Sequence, residues 1–124
     1  MKNRVQIAHA GEERAAQYLQ ARGYTLLARN WRKREGELDI VAMEGDALVF
    51  VEVKTRRTRT YGAPEESIDA RKQAQLARLA QRFIDEHPQL RFRECRFDVA
   101  VVDMTVLPVQ VRLYTNAFDA PTTE

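Results

Sequence analysis

Apolar residues recur along this chain with two periods. From about Val5 to Arg22 they lie three and four apart, and Ala8, Glu12, Ala15, Ala16 and Leu19 form one stripe with Tyr18 beside it. This is the spacing of an amphipathic helix, and Gly23 stands where a helix C-terminus favours glycine. A second helix is predicted from about Ala70 to Glu86, its buried stripe Leu76, Leu79, Ala80, Phe83 and Ile84, with Asp69 as N-cap and His87-Pro88 as the stop. Between and after the helices the pattern is that of strands: "YTLLARNW" as a short strand, Leu38 to Met43 and Ala47 to Lys54 around "EGD", then "CRFDVAVVDM" and "VQVRLY". Thr55 to Glu66 reads as a polar loop and the tail from Asn116 as irregular. Helix, strands, helix, strands in that order predicts an α/β sandwich with a mixed sheet. Without an internal repeat or linker, residues 1–124 read as one domain.

Four charges interrupt the most apolar segment, "GELDIVAMEGDALVFVEVKT": Glu37, Asp39, Glu52 and Lys54. An uncompensated charge inside a sheet is costly, so each needs a partner. A two-residue type II′ turn at Gly45-Asp46 pairs Glu44 with Ala47, and the same register carries Asp39 to Glu52 and Glu37 to Lys54. A four-residue loop gives the same pairing, whereas a three-residue loop would set Asp39 against Val51 and break the constellation. Leu48, Phe50, Glu52 and Lys54 then share one face and Val49, Val51 and Val53 the other. Both faces are largely apolar, so the polar residues gather only at the strand end far from the turn. Opposed carboxylates of this kind can hold one metal ion; cross-strand ion pairing, such as Glu37 with Lys54, is the equally available structural reading.

Composition narrows the classes. The chain has 124 residues, 44% hydrophobic and 31% charged, with a formal net charge of +2. That total hardly argues for an anionic partner, but basic residues cluster as "RNWRKR" and "KTRRTR" on both sides of the acidic hairpin. Such clusters are nucleic-acid contacts or simply solvated loops. Cys95 is the only cysteine and His9 and His87 the only histidines, which excludes a disulfide framework and a multi-cysteine zinc site. No apolar run reaches membrane-spanning length and no signal-peptide core opens the chain, so the expected location is the cytoplasm, with no membrane partner.

Asp39 followed by Glu52-Val53-Lys54 resembles the PD-(D/E)xK nuclease signature, with Leu38 where the motif has proline. More broadly, "GEERAAQYLQARGY", "RNWRKREGELDIVA", "LVFVEVKTRR", "YGAPEESIDARKQ", "RFDV" and "NAF" resemble the YraN family over Gly11 to Phe118. That bacterial family is related to archaeal Holliday junction resolvases and regarded as endonucleases. The resemblance implies a restriction-endonuclease-like three-layer sandwich, a central mixed β-sheet flanked by helices. It also implies Glu12 as the first-helix acid that joins Asp39 and Glu52 in a metal site, and Lys72 and Gln73 as phosphate-contacting residues at the start of the second helix. Hydrogen bonding of Glu12 to a basic neighbour, and a Lys72 that merely snorkels, are the structural alternatives. Asp98 of "RFDV" fits a pair with Arg96 or Arg112 and is left outside the site.

The function so implied is metal-dependent hydrolysis of phosphodiester bonds in structured or branched DNA, with Mg²⁺ or Mn²⁺ on Asp39, Glu52 and Glu12 and with Lys54 at the reacting phosphate. Arg34, Arg56, Arg57 and Arg59 would hold neighbouring phosphates, and Tyr61 and Trp31 would stack on exposed bases. A homodimer is compatible with this reading. A noncatalytic nucleic-acid-binding module of the same fold is the first rival, and an assembly protein the second.

Overall fold

The described residues of the computed structural model, 3–58 and 68–119, form five strands and two helices. In chain order they are α1 (Arg4–Ala21), β1 (Thr25–Lys33), β2 (Gly36–Glu44), β3 (Ala47–Arg56), α2 (Ala70–Glu86), β4 (Glu94–Asp103) and β5 (Gln110–Phe118). Each helix begins where its cap dictates. Asn3 and Gln6 exchange side-chain-to-backbone hydrogen bonds of 2.9 Å at the start of α1, and the Asp69 carboxylate accepts the Lys72 N–H at 2.8 Å at the start of α2.

The strands lie in the order β1-β2-β3-β4-β5, with β3 and β4 parallel and the other neighbours antiparallel. The mixed sheet follows from the connections, because only the β3-to-β4 link contains a helix able to carry the chain back across the sheet. α1 covers one face through Ala15, Ala16 and Leu19, against Ile40, Ala42, Val49, Val51, Ala100 and Val102. α2 covers the other through Leu76, Leu79, Ala80 and Phe83, against Val41, Leu48, Phe50, Val99 and their neighbours. The result is a three-layer α/β sandwich with two apolar cores. Small residues let α1 lie close to the sheet: a Cβ on Gly11 would stand only 2.0 Å from Thr55 Oγ1. Ala8, placed by periodicity on the buried stripe, is instead exposed, because the first turns of α1 run on beyond that contact.

Three boundaries differ from expectation. β1 continues to Lys33, and Arg34-Glu35 forms a tight turn into β2. Thr55 and Arg56 belong to β3 rather than to a loop; 59–66 of that expected loop, with Arg59 and Tyr61, lie outside the described residues. The presumed tail from Asn116 is still strand. β5 reaches Phe118 through a bulge, with Asn116 at φ +53° and its N–H donated to buried Asp98 at 2.9 Å. Asp98 also accepts from Arg96 Nε at 3.1 Å, one of the two pairings foreseen for it.

The β2–β3 hairpin has the expected register. Gly45 takes φ +59° while Asp46 keeps a negative φ, as a type II′ turn requires, and Glu44 pairs with Ala47. The ladder then runs from Met43–Leu48 to Ile40–Val51 and stops. Beyond that step β2 stays with β1 and leaves β3: Leu38 pairs with Trp31, and Glu37 with Arg32. The sheet therefore opens at the step where Asp39 and Glu52 would have faced each other.

Candidate active site

Asp39 fills the opening. Its Oδ2 accepts the backbone N–H of Val53 at 2.8 Å, so a half-buried carboxylate lies between the two parted strands. Glu52, only 9% exposed, lies beside it on the face covered by α2. Two lysines approach Glu52 Oε2: Lys54 Nζ at 3.8 Å from its own strand and Lys72 Nζ at 3.7 Å from the first turn of α2. A cavity of about 10 Å³ adjoins the pair, lined by Asp39, Glu52, Leu38, Phe50 and Leu76 among others. That is close to the volume one water requires.

The electrostatics follow from crowding. Burial, then the neighbouring Glu52 charge, pushes the Asp39 carboxyl up to about 8, although the Val53 N–H favours its ionised form. Glu12 adds to this repulsion from the other side of the sheet. Glu12 is itself raised, first by burial and then by Glu37. Three carboxyl groups thus form a column through the sheet, Glu12 under α1, Asp39 between the strands and Glu52 under α2. Among the described residues no three acidic, histidine or cysteine side chains converge into a ready-made metal cluster.

Asn30, which carried no role in the sequence reading, holds the α1 end of this column. It sits opposite the opening in β1 with φ +51°, a conformation that asparagine adopts more readily than most residues. In the amide orientation its surroundings require, its nitrogen donates to Glu12 Oε1 at 2.9 Å and to Glu37 Oε1 at 3.0 Å. The basic neighbour anticipated for Glu12 belongs to Glu13 instead, which Arg29 meets at 2.9 Å. Only asparagine's tolerance of positive φ could have flagged Asn30, and that signal is weak in a chain with few other breaks.

Other expectations are redirected. The Glu37–Lys54 pair does not form, because the ladder has ended; Glu37 bonds Arg32 at 3.2 Å and Lys54 turns to Glu52. Trp31 is not a free stacking platform. Its ring meets Phe83 edge-on at 5.2 Å, and Lys33 Nζ lies 4.8 Å from its centroid. The Gln73 amide donates to the Ile68 carbonyl at 2.9 Å, so it secures the start of α2. Arg56 and Arg57 continue from Lys54 along the end of β3, and Arg34 is exposed on the β1–β2 turn. Arg59 lies outside the described residues.

Residues 11–102 match the family model described as "Uncharacterised protein family UPF0102". The chain belongs to the UPF0102 family. The YraN resemblance read from the motifs is to this same family. A UPF0102 protein of Symbiobacterium thermophilum is 47% identical over 119 residues, covering 92% of this chain and 97% of the relative. UPF0102 proteins of Pseudomonas aeruginosa and Caldicellulosiruptor saccharolyticus are 44% and 42% identical over 88% and 94% of the chain, and 89% and 99% of their own length. The matched UPF0102 span contains the whole acid column and both lysines, and it begins at Gly11, where α1 meets β3. No helix among the described residues is long and apolar enough to cross a membrane.

Proposed function

We propose that this protein is a divalent-metal-dependent nuclease that hydrolyses phosphodiester bonds in structured or branched DNA. One observation carries the reading: Asp39 and Glu52 share a desolvated opening between two strands, while both nearby lysines are directed at Glu52. Two carboxylates so close cannot both be charged without a proton or a cation between them. A small, hard cation that takes one or two carboxylates and keeps its waters suits this donor set, so Mg²⁺ or Mn²⁺ would be held by Asp39 and Glu52, with Glu12 contributing charge. When bound, the cation supplies an activated water and neutralises charge on the phosphorus centre.

The protein's own groups have distinct tasks. Lys54, beside Glu52 at the strand end, orients the attacking water and balances negative charge as the bond breaks. Lys72 keeps the buried Glu52 charge from standing alone when no substrate is present. Arg56 and Arg57 follow in sequence at the open end of β3 and hold adjacent phosphates, while Arg34 reaches outward from the β1–β2 turn. None of these contacts reads a base edge, which favours selection of DNA by structure over selection by sequence.

The same ion pairs support a second reading. With Glu52 balanced by Lys54 and Lys72, and Asp39 bonded to Val53, the acids have structural occupations, as in a noncatalytic nucleic-acid-binding module. Cleavage assays on branched, flapped and single-stranded DNA, with Mg²⁺ and with EDTA, separate the two. The nuclease reading expects metal-dependent cleavage that Asp39→Asn abolishes while metal-free binding is equal or tighter. A wild type inert on every substrate, whose melting ignores Mg²⁺, would select the noncatalytic binder.

A further inference from the structure

A groove of about 520 Å³ runs between the first turns of α1 and the end of β3. Arg4, Ala8 and Glu12 line its helix side at four-residue intervals, so they stand one above the other on one face of α1. Lys54, Arg56 and Arg57 line its strand side, with Thr55 and Thr58. Of these basic residues Lys54 has its ammonium at Glu52 on the α2 face, so Arg4, Arg56 and Arg57 supply the groove's positive charge against the one carboxylate of Glu12. The groove closes at the Gly11–Thr55 contact, next to Glu12, and Lys54 belongs both to its wall and to the surroundings of Glu52. From Glu12 to Arg4 the helix face is about 12 Å long.

These features define what fits. The cations call for a phosphodiester backbone, and the hydroxyls of Thr55 and Thr58 are further donors to phosphate oxygens. A volume of about 520 Å³ is that of a small-ligand cleft and suits a short length of one strand rather than both strands of a duplex. The exposed methyl of Ala8 leaves the middle of the slot open for a sugar or a base, with the Ile7 side chain as an apolar neighbour. We infer that this groove binds an unpaired nucleic-acid strand, leading it from Arg4 past Ala8 to the acid column. Building on the nuclease reading above, this makes the substrate one with a free single strand beside the scissile phosphate, a flap or an overhang. Arg4 is its distal phosphate contact, and it lies outside the span matched by the family model.

The test measures metal-free binding by fluorescence anisotropy, using a short blunt duplex and the same duplex carrying an unpaired DNA or RNA tail. Wild type is expected to bind the tailed duplexes about tenfold more tightly, as two or three additional phosphates held by the groove imply. Comparison of the DNA and RNA tails identifies which strand the groove prefers. Ala8→Phe fills the slot without altering charge, and Arg4→Glu reverses the distal charge; both positions are exposed, so folding is expected to be retained. Each substitution should erase the preference for a tail while leaving blunt-duplex affinity and Tm unchanged. An equal affinity of wild type for blunt and tailed duplexes overturns the inference, as does a tail preference that survives Ala8→Phe. Cleavage in Mg²⁺ is scored separately. Tail binding through the groove without cleavage removes the nuclease reading alone, and cleavage with an intact tail preference in Ala8→Phe removes the groove alone.

Discussion

The Asp39 carboxylate takes the Val53 N–H at 2.8 Å, the hydrogen bond that an unbroken hairpin would have given to the Leu38 carbonyl. Glu44–Ala47 closes a two-residue turn, so every second pair away from it exchanges backbone bonds, and Leu38–Val53 would be next after Ile40–Val51. A side chain has replaced its own strand's backbone. The sheet can part there without leaving the Val53 amide unsatisfied, and the parting creates the space between Asp39 and Glu52.

That geometry sets a dependence on pH. Asp39 has a folded value of about 8 against an ordinary 3.8, so between these values the folded protein holds a proton that the unfolded chain has released. Stability from this group is present below pH 3.8 and is lost as pH rises through the window to about 8. In EDTA, Tm should fall over this range more steeply for wild type than for Asp39→Asn, whose amide keeps an acceptor for Val53 and carries no charge. At pH 8 the variant should melt about 4 °C or more higher, the shift that roughly 1 kcal/mol produces in a domain of this size. Adding Mg²⁺ should raise the wild-type Tm at pH 8 and leave that of the variant unchanged. Parallel melting curves against pH for the two proteins would contradict this account.

The two lysines should separate by assay. Lys54→Ala is expected to lower cleavage by about 10²-fold or more, the loss typical of one positioned charge, with only a modest change in DNA affinity. Lys72→Ala should cost less activity, since it leaves Lys54 at Glu52. Removing both strands a buried carboxylate, and denaturant melts should then record a loss on the order of 3–5 kcal/mol, more than the two single variants together.

Arg56 and Arg57 act through phosphate alone in this scheme. Replacing both by Ala should weaken blunt duplex and fully paired branched DNA to the same extent, and tailed DNA by more. It should also flatten the plot of log affinity against log salt by roughly 0.9 for each phosphate no longer neutralised. An unchanged slope would locate the binding surface elsewhere.

Gly11 fixes how closely α1 approaches β3. A methyl group there would stand 2.0 Å from Thr55 Oγ1 and 3.1 Å from Thr55 Cβ, so rotating the hydroxyl does not relieve the clash entirely. Gly11→Ala should cost about 1–3 kcal/mol by urea melting, as overpacking does, and Thr55→Gly in the same chain should restore part of it.

What could be read beforehand was local, and what was missed was coupled over distance. The α2 boundaries, Ala70 to Glu86, match the expectation because Asp69, the apolar stripe and His87-Pro88 all act within a turn of the helix. The hairpin register was legible because one glycine, Gly45 at φ +59°, determines it. The opening after Ile40–Val51 was not, because it depends on a side chain outcompeting a backbone carbonyl and on Asn30 turning to positive φ in the adjacent strand. The role of Trp31 was misread for a related reason: a tryptophan among arginines suggests a surface, yet Phe83, distant in sequence, covers it. Asp39 and Glu52 lie together as the spacing suggested, though across an opening rather than as a ladder pair; Lys72, which only the family resemblance had pointed to, meets Glu52 at 3.7 Å, and the partner of Glu12 was not foreseen.

The bulge at Asn116 has a bearing on self-association. Among the described residues β5 is an edge of the sheet, and a sheet edge offers its unpaired N–H and C=O groups to any passing strand. Here the offer is short. The straight run spans Gln110 to Tyr114, after which the register shifts, Asn116 turns to φ +53°, and its N–H is committed inward to Asp98. A strand docking from outside loses its template halfway along. The feature that discourages edge-to-edge growth of sheets is therefore a buried carboxylate in the neighbouring strand, invisible from the surface it protects.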